Sequence, residues 1–83
     1  ARDELAIKVL LAIAADTVDV GAILQRQREA VLERLQQLTR QKLAADPAEQ
    51  LPWVLLLDAL ILKAKAEVDW LDLCERRLAE RES

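Results

Sequence analysis

The chain has no histidine, no phenylalanine and no tyrosine among its 83 residues, and Gly21 is its one glycine. Without histidine it cannot form a catalytic triad with an imidazole base or the usual histidine-containing zinc sites. Without a glycine-rich loop it cannot hold a phosphate as nucleotide-binding loops do. We therefore expect no catalytic residue, no metal site and no cofactor.

The chain has one cysteine, Cys74, and no long uncharged apolar segment. A lone cysteine cannot form an internal disulfide, which fits a reducing cytoplasm. No run reaches eighteen apolar residues without a charge, so we expect no membrane-spanning helix. The N-terminal residues also lack the layout of a signal peptide. These features predict a cytoplasmic location.

The abundant residues predict the fold class. Alanine, leucine, glutamate, glutamine, arginine and lysine dominate, and these residues lose least on entering a helix. The aromatic residues that favour strands are almost absent. The apolar fraction is 53%, high for a chain too short to enclose a large core. The composition therefore predicts an all-α domain that buries part of its apolar surface between subunits.

The net charge is −3, which argues against nucleic-acid binding by this segment alone, because phosphates require a basic surface. The chain begins at Ala1 rather than at methionine. We interpret this start as that of a fragment with an upstream part, although removal of a methionine before alanine would produce the same start.

Apolar spacing predicts three helices, at about residues 3–15, 20–45 and 52–80. Asp19 stands where an N-cap of the second helix belongs. Asp46, Pro47 and Glu49 resemble a capped helix start, but Pro52 interrupts it. We therefore expect a short turn at 47–51 and a third helix that begins at Pro52.

Helix length argues for a dimer. Rods of this length measure roughly 40 Å at 1.5 Å per residue. A compact globule of this chain length has a diameter of only about 30 Å. The two long helices therefore form an antiparallel hairpin whose outer apolar surface needs a second copy. The first helix is apolar nearly all round and must also be covered on more than one side.

The third helix carries a near-heptad apolar seam with Glu67 in one of its slots. Tryptophan is frequent at interface hot spots, so Trp70 joins the candidates for the interface. Cys74 lies in the same seam, and we expect it to be an inert buried thiol. The candidate dimer-interface residues are Leu57, Leu60, Ala64, Trp70, Leu71, Cys74 and Leu78.

Asp58 and Trp53 are the candidate ligand-binding or polar interface residues. Asp58 lies within an apolar run, and a carboxylate there must reach solvent, a cation or a hydrogen-bond donor. It could sense a ligand, but an ion pair with an arginine of the second helix, or simple exposure, is the preferred interpretation. Trp53 could form the floor of a small-molecule pocket, with structural packing as the preferred alternative.

Four stretches together resemble the C-terminal domain of PadR-type bacterial transcriptional regulators. They are residues 2–11 (RDELAIKVLL), 25–28 (QRQR), 35–39 (LQQLT) and 67–71 (EVDWL). The resemblance implies a homodimer that reaches DNA only through an N-terminal winged helix absent from this chain. It also implies that some members respond to a small-molecule effector, and it places Trp70 and Leu71 on the dimerisation surface.

Two alternatives remain open at this point. Small all-helical dimeric enzymes of chorismate mutase type hold a dicarboxylate with cationic side chains, and the second helix offers Arg26, Arg28, Arg34 and Lys42. The first helix adds only Lys8, and no convergent set is evident. A plain helical assembly scaffold without a DNA-binding partner domain is the other alternative.

Overall fold

A computed structural model describes residues 4–15 and 19–82. It contains three helices, α1 (Glu4–Ala15), α2 (Val20–Ala44) and α3 (Leu51–Glu82), and these described residues include no strand. The predicted all-α, three-helix fold is confirmed. The predicted start of the first helix at residue 3 lies outside the described residues.

Asp19 caps α2, as predicted. Its side-chain Oδ1 accepts a hydrogen bond from the backbone N–H of Ala22 at 3.1 Å, and its carbonyl accepts one from Ile23 at 3.2 Å. The first N–H groups of a helix have no acceptor within the helix, so a short polar side chain at this position stabilises the start.

The joint between α2 and α3 differs in detail from the prediction. Asp46 Oδ1 accepts from the N–H of Ala48, and Gln50 Oε1 accepts from the N–H of Asp46, both at 3.0 Å. The reciprocal partner is therefore Gln50 and not Glu49. Helix α3 begins at Leu51, one residue before the predicted start, because Pro52 lies in a first turn whose N–H groups need no intrahelical acceptor.

Helices α2 and α3 form the predicted antiparallel hairpin. Three ion pairs join them in the order that opposite chain directions require: Arg28–Asp72, Arg34–Glu67 and Lys42–Asp58. The molecule measures 51 × 24 × 16 Å, with a radius of gyration of 16.0 Å. It is therefore an elongated rod, far from the compact globule of about 30 Å expected for this chain length.

Helix α1 covers only one end of the rod formed by α2 and α3. Helix α1 packs where α2 begins and α3 ends, and Val9 joins a buried cluster from all three helices. We call the end that contains α1, residues 20–35 and residues 64–82 the covered half. We call residues 36–63 the bare half, because there α2 and α3 pack only against each other. The buried cluster of the covered half consists of Val9, Leu24, Val31, Ala64 and Leu71.

The bare half has a thinner core. Val54, Leu57 and Ile61 are its buried apolar side chains, and all three belong to α3.

None of the helices in residues 4–15 and 19–82 combines the length and the apolar character that a membrane span requires.

Candidate interaction surface

Helix α1 has two apolar faces. Val9 and Ala12 are buried on the inner face, which packs on the hairpin. Ile7, Leu10 and Leu11 form the opposite face, with a spacing of three and four residues that places them on one side of the helix. These three side chains are between 53% and 64% exposed. We call them the outer face of α1.

A row of apolar side chains is also exposed on α3 in the bare half. Trp53, Leu56 and Leu60 are 42%, 49% and 37% exposed, and we call them the bare row. Steps of seven and four residues return to the same side of a helix, so this row continues into Cys74 and Leu78. Those two side chains are half-buried against the three-helix cluster. The side of α3 that is covered at one end of the rod is thus uncovered at the other end.

A second exposed row lies on another side of α3. Leu51, Leu55 and Leu62 are spaced by four and seven residues and are all more than half exposed. Two residues along a helix correspond to a rotation of roughly 200°, so Leu62 and Leu60 point in nearly opposite directions. The bare half therefore carries two distinct apolar surfaces.

The predicted interface residues fall into three groups. Leu57, Ala64 and Leu71 are 0%, 3% and 0% exposed, because other parts of the same chain already cover them. Leu60 is the one candidate whose side chain is exposed. Their part in a dimer stays a prediction, and the half-buried candidates that pack against the three-helix cluster are Trp70, Cys74 and Leu78.

The sequence pattern could not separate these groups. A near-heptad seam identifies the side of α3 that is apolar, but it does not identify which neighbour covers each position. The outer face of α1 and the bare row become recognisable only when exposure is known, although the continuous apolar run in α1 already indicated cover on two sides.

Asp58 forms an interhelical ion pair. Its Oδ1 lies 2.6 Å from Nζ of Lys42, and both side chains are partly exposed. The preferred interpretation from the sequence, a salt bridge to the second helix, is correct in kind, but the cation is a lysine and not an arginine. The pair satisfies a carboxylate that lies in an apolar run.

Two further ion pairs join arginines of α2 to carboxylates of α3. Arg28 Nε donates to Asp72 Oδ1 at 2.9 Å, and Arg34 Nη1 lies 3.6 Å from Glu67 Oε2. That glutamate oxygen is shielded from solvent and accepts no hydrogen bond, so the nearby guanidinium is what compensates its charge. These contacts occupy cations that an enzyme of chorismate mutase type would direct at a substrate.

Trp53 lines an open cavity of about 290 Å³ near the α2–α3 joint. The volume is close to the lower end of small-molecule pockets, but the cavity is not enclosed. The other residues that line the cavity are Gln41, Ala44, Ala45 and Gln50.

Within residues 4–15 and 19–82, no group of three or more potential metal ligands lies together.

Cys74 is a free, half-buried cysteine. Burial raises the pKa of its thiol, a nearby charge on Glu75 raises the pKa further, and a backbone hydrogen bond lowers it. The protonated thiol is therefore favoured at neutral pH, and it is a poor nucleophile.

Comparison with known proteins identifies a family. The family model described as "Virulence activator alpha C-term" matches residues 1–79, which is nearly the whole chain. No curated protein and no solved structure matches the chain. The matched family is one of regulatory domains and not of enzymes.

Proposed function

The chain belongs to the family of virulence activator alpha C-terminal domains, and from this premise we propose that it is the dimerisation domain of a PadR-like bacterial transcriptional regulator. The family supports a role as the C-terminal domain of a transcription regulator. The resemblance of residues 2–11 and 67–71 to PadR-type regulators supports the narrower assignment.

The observation that carries the proposal is apolar surface on an elongated rod. Ten large apolar side chains in α1, α2 and α3 are exposed, and monomeric soluble proteins rarely leave large contiguous patches open to water. A 51 Å hairpin with exposed apolar rows along its length is suited to pack lengthwise against a second copy.

The proposed mechanism is geometric. A two-fold dimer of long hairpins would hold two DNA-reading domains at a set distance, and so select the spacing of the half-sites that they bind. The acidic balance of this chain is consistent with DNA contacts made by another domain.

A small effector would act on the same geometry. The open cavity beside Trp53 lies in the bare half, where a second copy could close it. An effector that binds one arrangement of the dimer more tightly would shift the population toward that arrangement and change the separation of the DNA-reading domains.

Sedimentation equilibrium of the chain at micromolar concentration tests the proposal. We expect twice the chain mass of 9.4 kDa, with a helical circular dichroism spectrum. A folded monomer under these conditions would contradict a dimerisation domain. Chorismate turnover by the same sample would instead favour the enzyme alternative.

A further inference from the structure

We propose that α1 of each copy lies between two hairpins, with its inner face on the covered half of its own chain and its outer face on the partner's bare row. Ile7, Leu10 and Leu11 of one copy would then pack on the bare row of the other copy (Trp53, Leu56 and Leu60). The two-fold symmetry repeats this contact, so the interface contains it twice. The inference rests on the proposed dimer and identifies the surface that forms it.

The first argument is the continuity of one side of α3. Over Cys74 and Leu78 this side packs against a cluster to which α1 contributes Val9. Over Trp53, Leu56 and Leu60 the same side is apolar and exposed. The position therefore suits a short apolar helix of the kind that covers the other end of the rod.

The second argument is that α1 has a spare face of the right kind. This helix has 12 residues, and its outer face is as apolar as its inner face. A helix that is apolar all round is stable in water only when it is covered on both sides. The chain itself covers one side, and the partner's bare row would cover the other.

The third argument is shape. The covered half is three helices thick and the bare half is two helices thick, so the molecule has a step near its middle. A two-fold axis at this step places the thick half of each copy against the thin half of the other. Closed symmetric dimers require this kind of self-complementary surface.

The area agrees with a specific interface. The outer face of α1 and the bare row together expose on the order of 500 Å² of apolar side chain in each copy, and two copies would therefore bury roughly the 1,000 Å² that a stable interface needs.

Cross-linking between two different variants tests the contact. We would make Leu10→Cys and Leu60→Cys separately, each with Cys74→Ser, mix them, allow subunit exchange, and treat them with a short bismaleimide. We expect a cross-linked dimer in the mixture at least about fivefold more abundant than in either variant alone. Each variant must first show the helicity and sedimentation of the parent chain.

The outcomes separate the two proposals. A cross-link in Leu60→Cys alone would mean that the bare rows face each other, and a dimer without the mixed cross-link would mean that another surface is used. Both results overturn this inference and leave the dimer standing. A parent chain that sediments as a folded monomer overturns the dimerisation proposal itself.

A matched pair of substitutions gives an independent test. Leu60 and Leu62 are 37% and 66% exposed and lie on different sides of α3. We expect Leu60→Ser to raise the dimer dissociation constant about tenfold or more, and Leu62→Ser to change it less than threefold. The reverse order would assign the interface to the row that contains Leu62.

Discussion

The two halves of the hairpin differ in how many helices cover the same side of α3. In the covered half, Cys74 and Leu78 are half-buried against a three-helix cluster. In the bare half, Trp53, Leu56 and Leu60 continue the row and are exposed. The apolar pattern is similar in both halves, so the difference lies in what packs on it. An apolar row therefore identifies a surface that needs a partner, and the tertiary structure decides whether the chain itself provides one.

The same comparison applies to the cores. Leu71 in the covered half and Leu57 in the bare half are both fully buried leucines of α3. The first is enclosed by three helices and the second by two. Neighbours that can move inward reduce the cost of a cavity, so the same substitution should have different effects at the two positions.

The largest expected effect is that of Leu71→Ala. We expect it to lower the free energy of unfolding by about 4 kcal/mol, and Leu57→Ala by about 2–3 kcal/mol. Urea unfolding followed by circular dichroism at fixed chain concentration measures both. Equal costs, or a larger cost at Leu57, would show that the two halves are packed alike.

The next effect concerns Asp19, which caps the start of α2, and Asp46, whose side chain accepts a backbone hydrogen bond in the joint before α3. We expect Asp19→Ala and Asp46→Ala each to lower the free energy of unfolding by about 1 kcal/mol, because each leaves a backbone N–H without its acceptor. Glu49→Ala is the control, with a change below about 0.5 kcal/mol, since Gln50 accepts from Asp46 instead. A large loss at Glu49 would restore the capping role predicted from the sequence.

The ion pairs between α2 and α3 should contribute less to the free energy of unfolding than Asp19 and Asp46 do. Double-mutant cycles with alanine at Lys42 and Asp58, and at Arg28 and Asp72, should each give a coupling of about 0.5 kcal/mol that decreases with added salt. The pairs lie in the bare and covered halves respectively. A coupling well above 1 kcal/mol in one cycle only would show that this half excludes water more strongly.

The smallest effect is on the reactivity of Cys74. Because burial raises the pKa of its thiol, the folded chain should hold less thiolate at pH 8 than the unfolded chain. A raised thiol pKa favours folding below the unfolded pKa, and this contribution is lost as pH rises through the folded pKa. Alkylation by iodoacetamide should therefore be several-fold slower in the native chain than in urea. Equal rates at pH 8 would place the thiol in open solvent.

Much of the fold could be predicted because it depends on local chemistry. The three helices, the Asp19 cap and the antiparallel hairpin all follow from residue type and spacing along one helix. The errors were also local: Gln50 rather than Glu49 closes the turn, and α3 begins one residue before Pro52. Glu49 and Gln50 can both accept a hydrogen bond from the N–H of Asp46, so the sequence pattern alone could not decide which of the two closes the turn.

The candidate surface was less predictable. Leu57 and Leu60 belong to the same predicted seam, yet one is fully buried within the chain and the other is exposed. Asp58 was expected to pair with an arginine, but the antiparallel register places Lys42 beside it. These outcomes depend on distances between residues far apart in the chain, which helical periodicity does not contain.

The sequence by itself determined that the chain is helical, where its helices run, and that it holds more apolar surface than one small rod can cover. Those properties depend on residues close together in the chain. Only the tertiary structure decided that α1 covers one end of the hairpin and leaves Trp53, Leu56 and Leu60 exposed at the other. The physical reason is that a 12-residue helix is too short to cover a 51 Å rod.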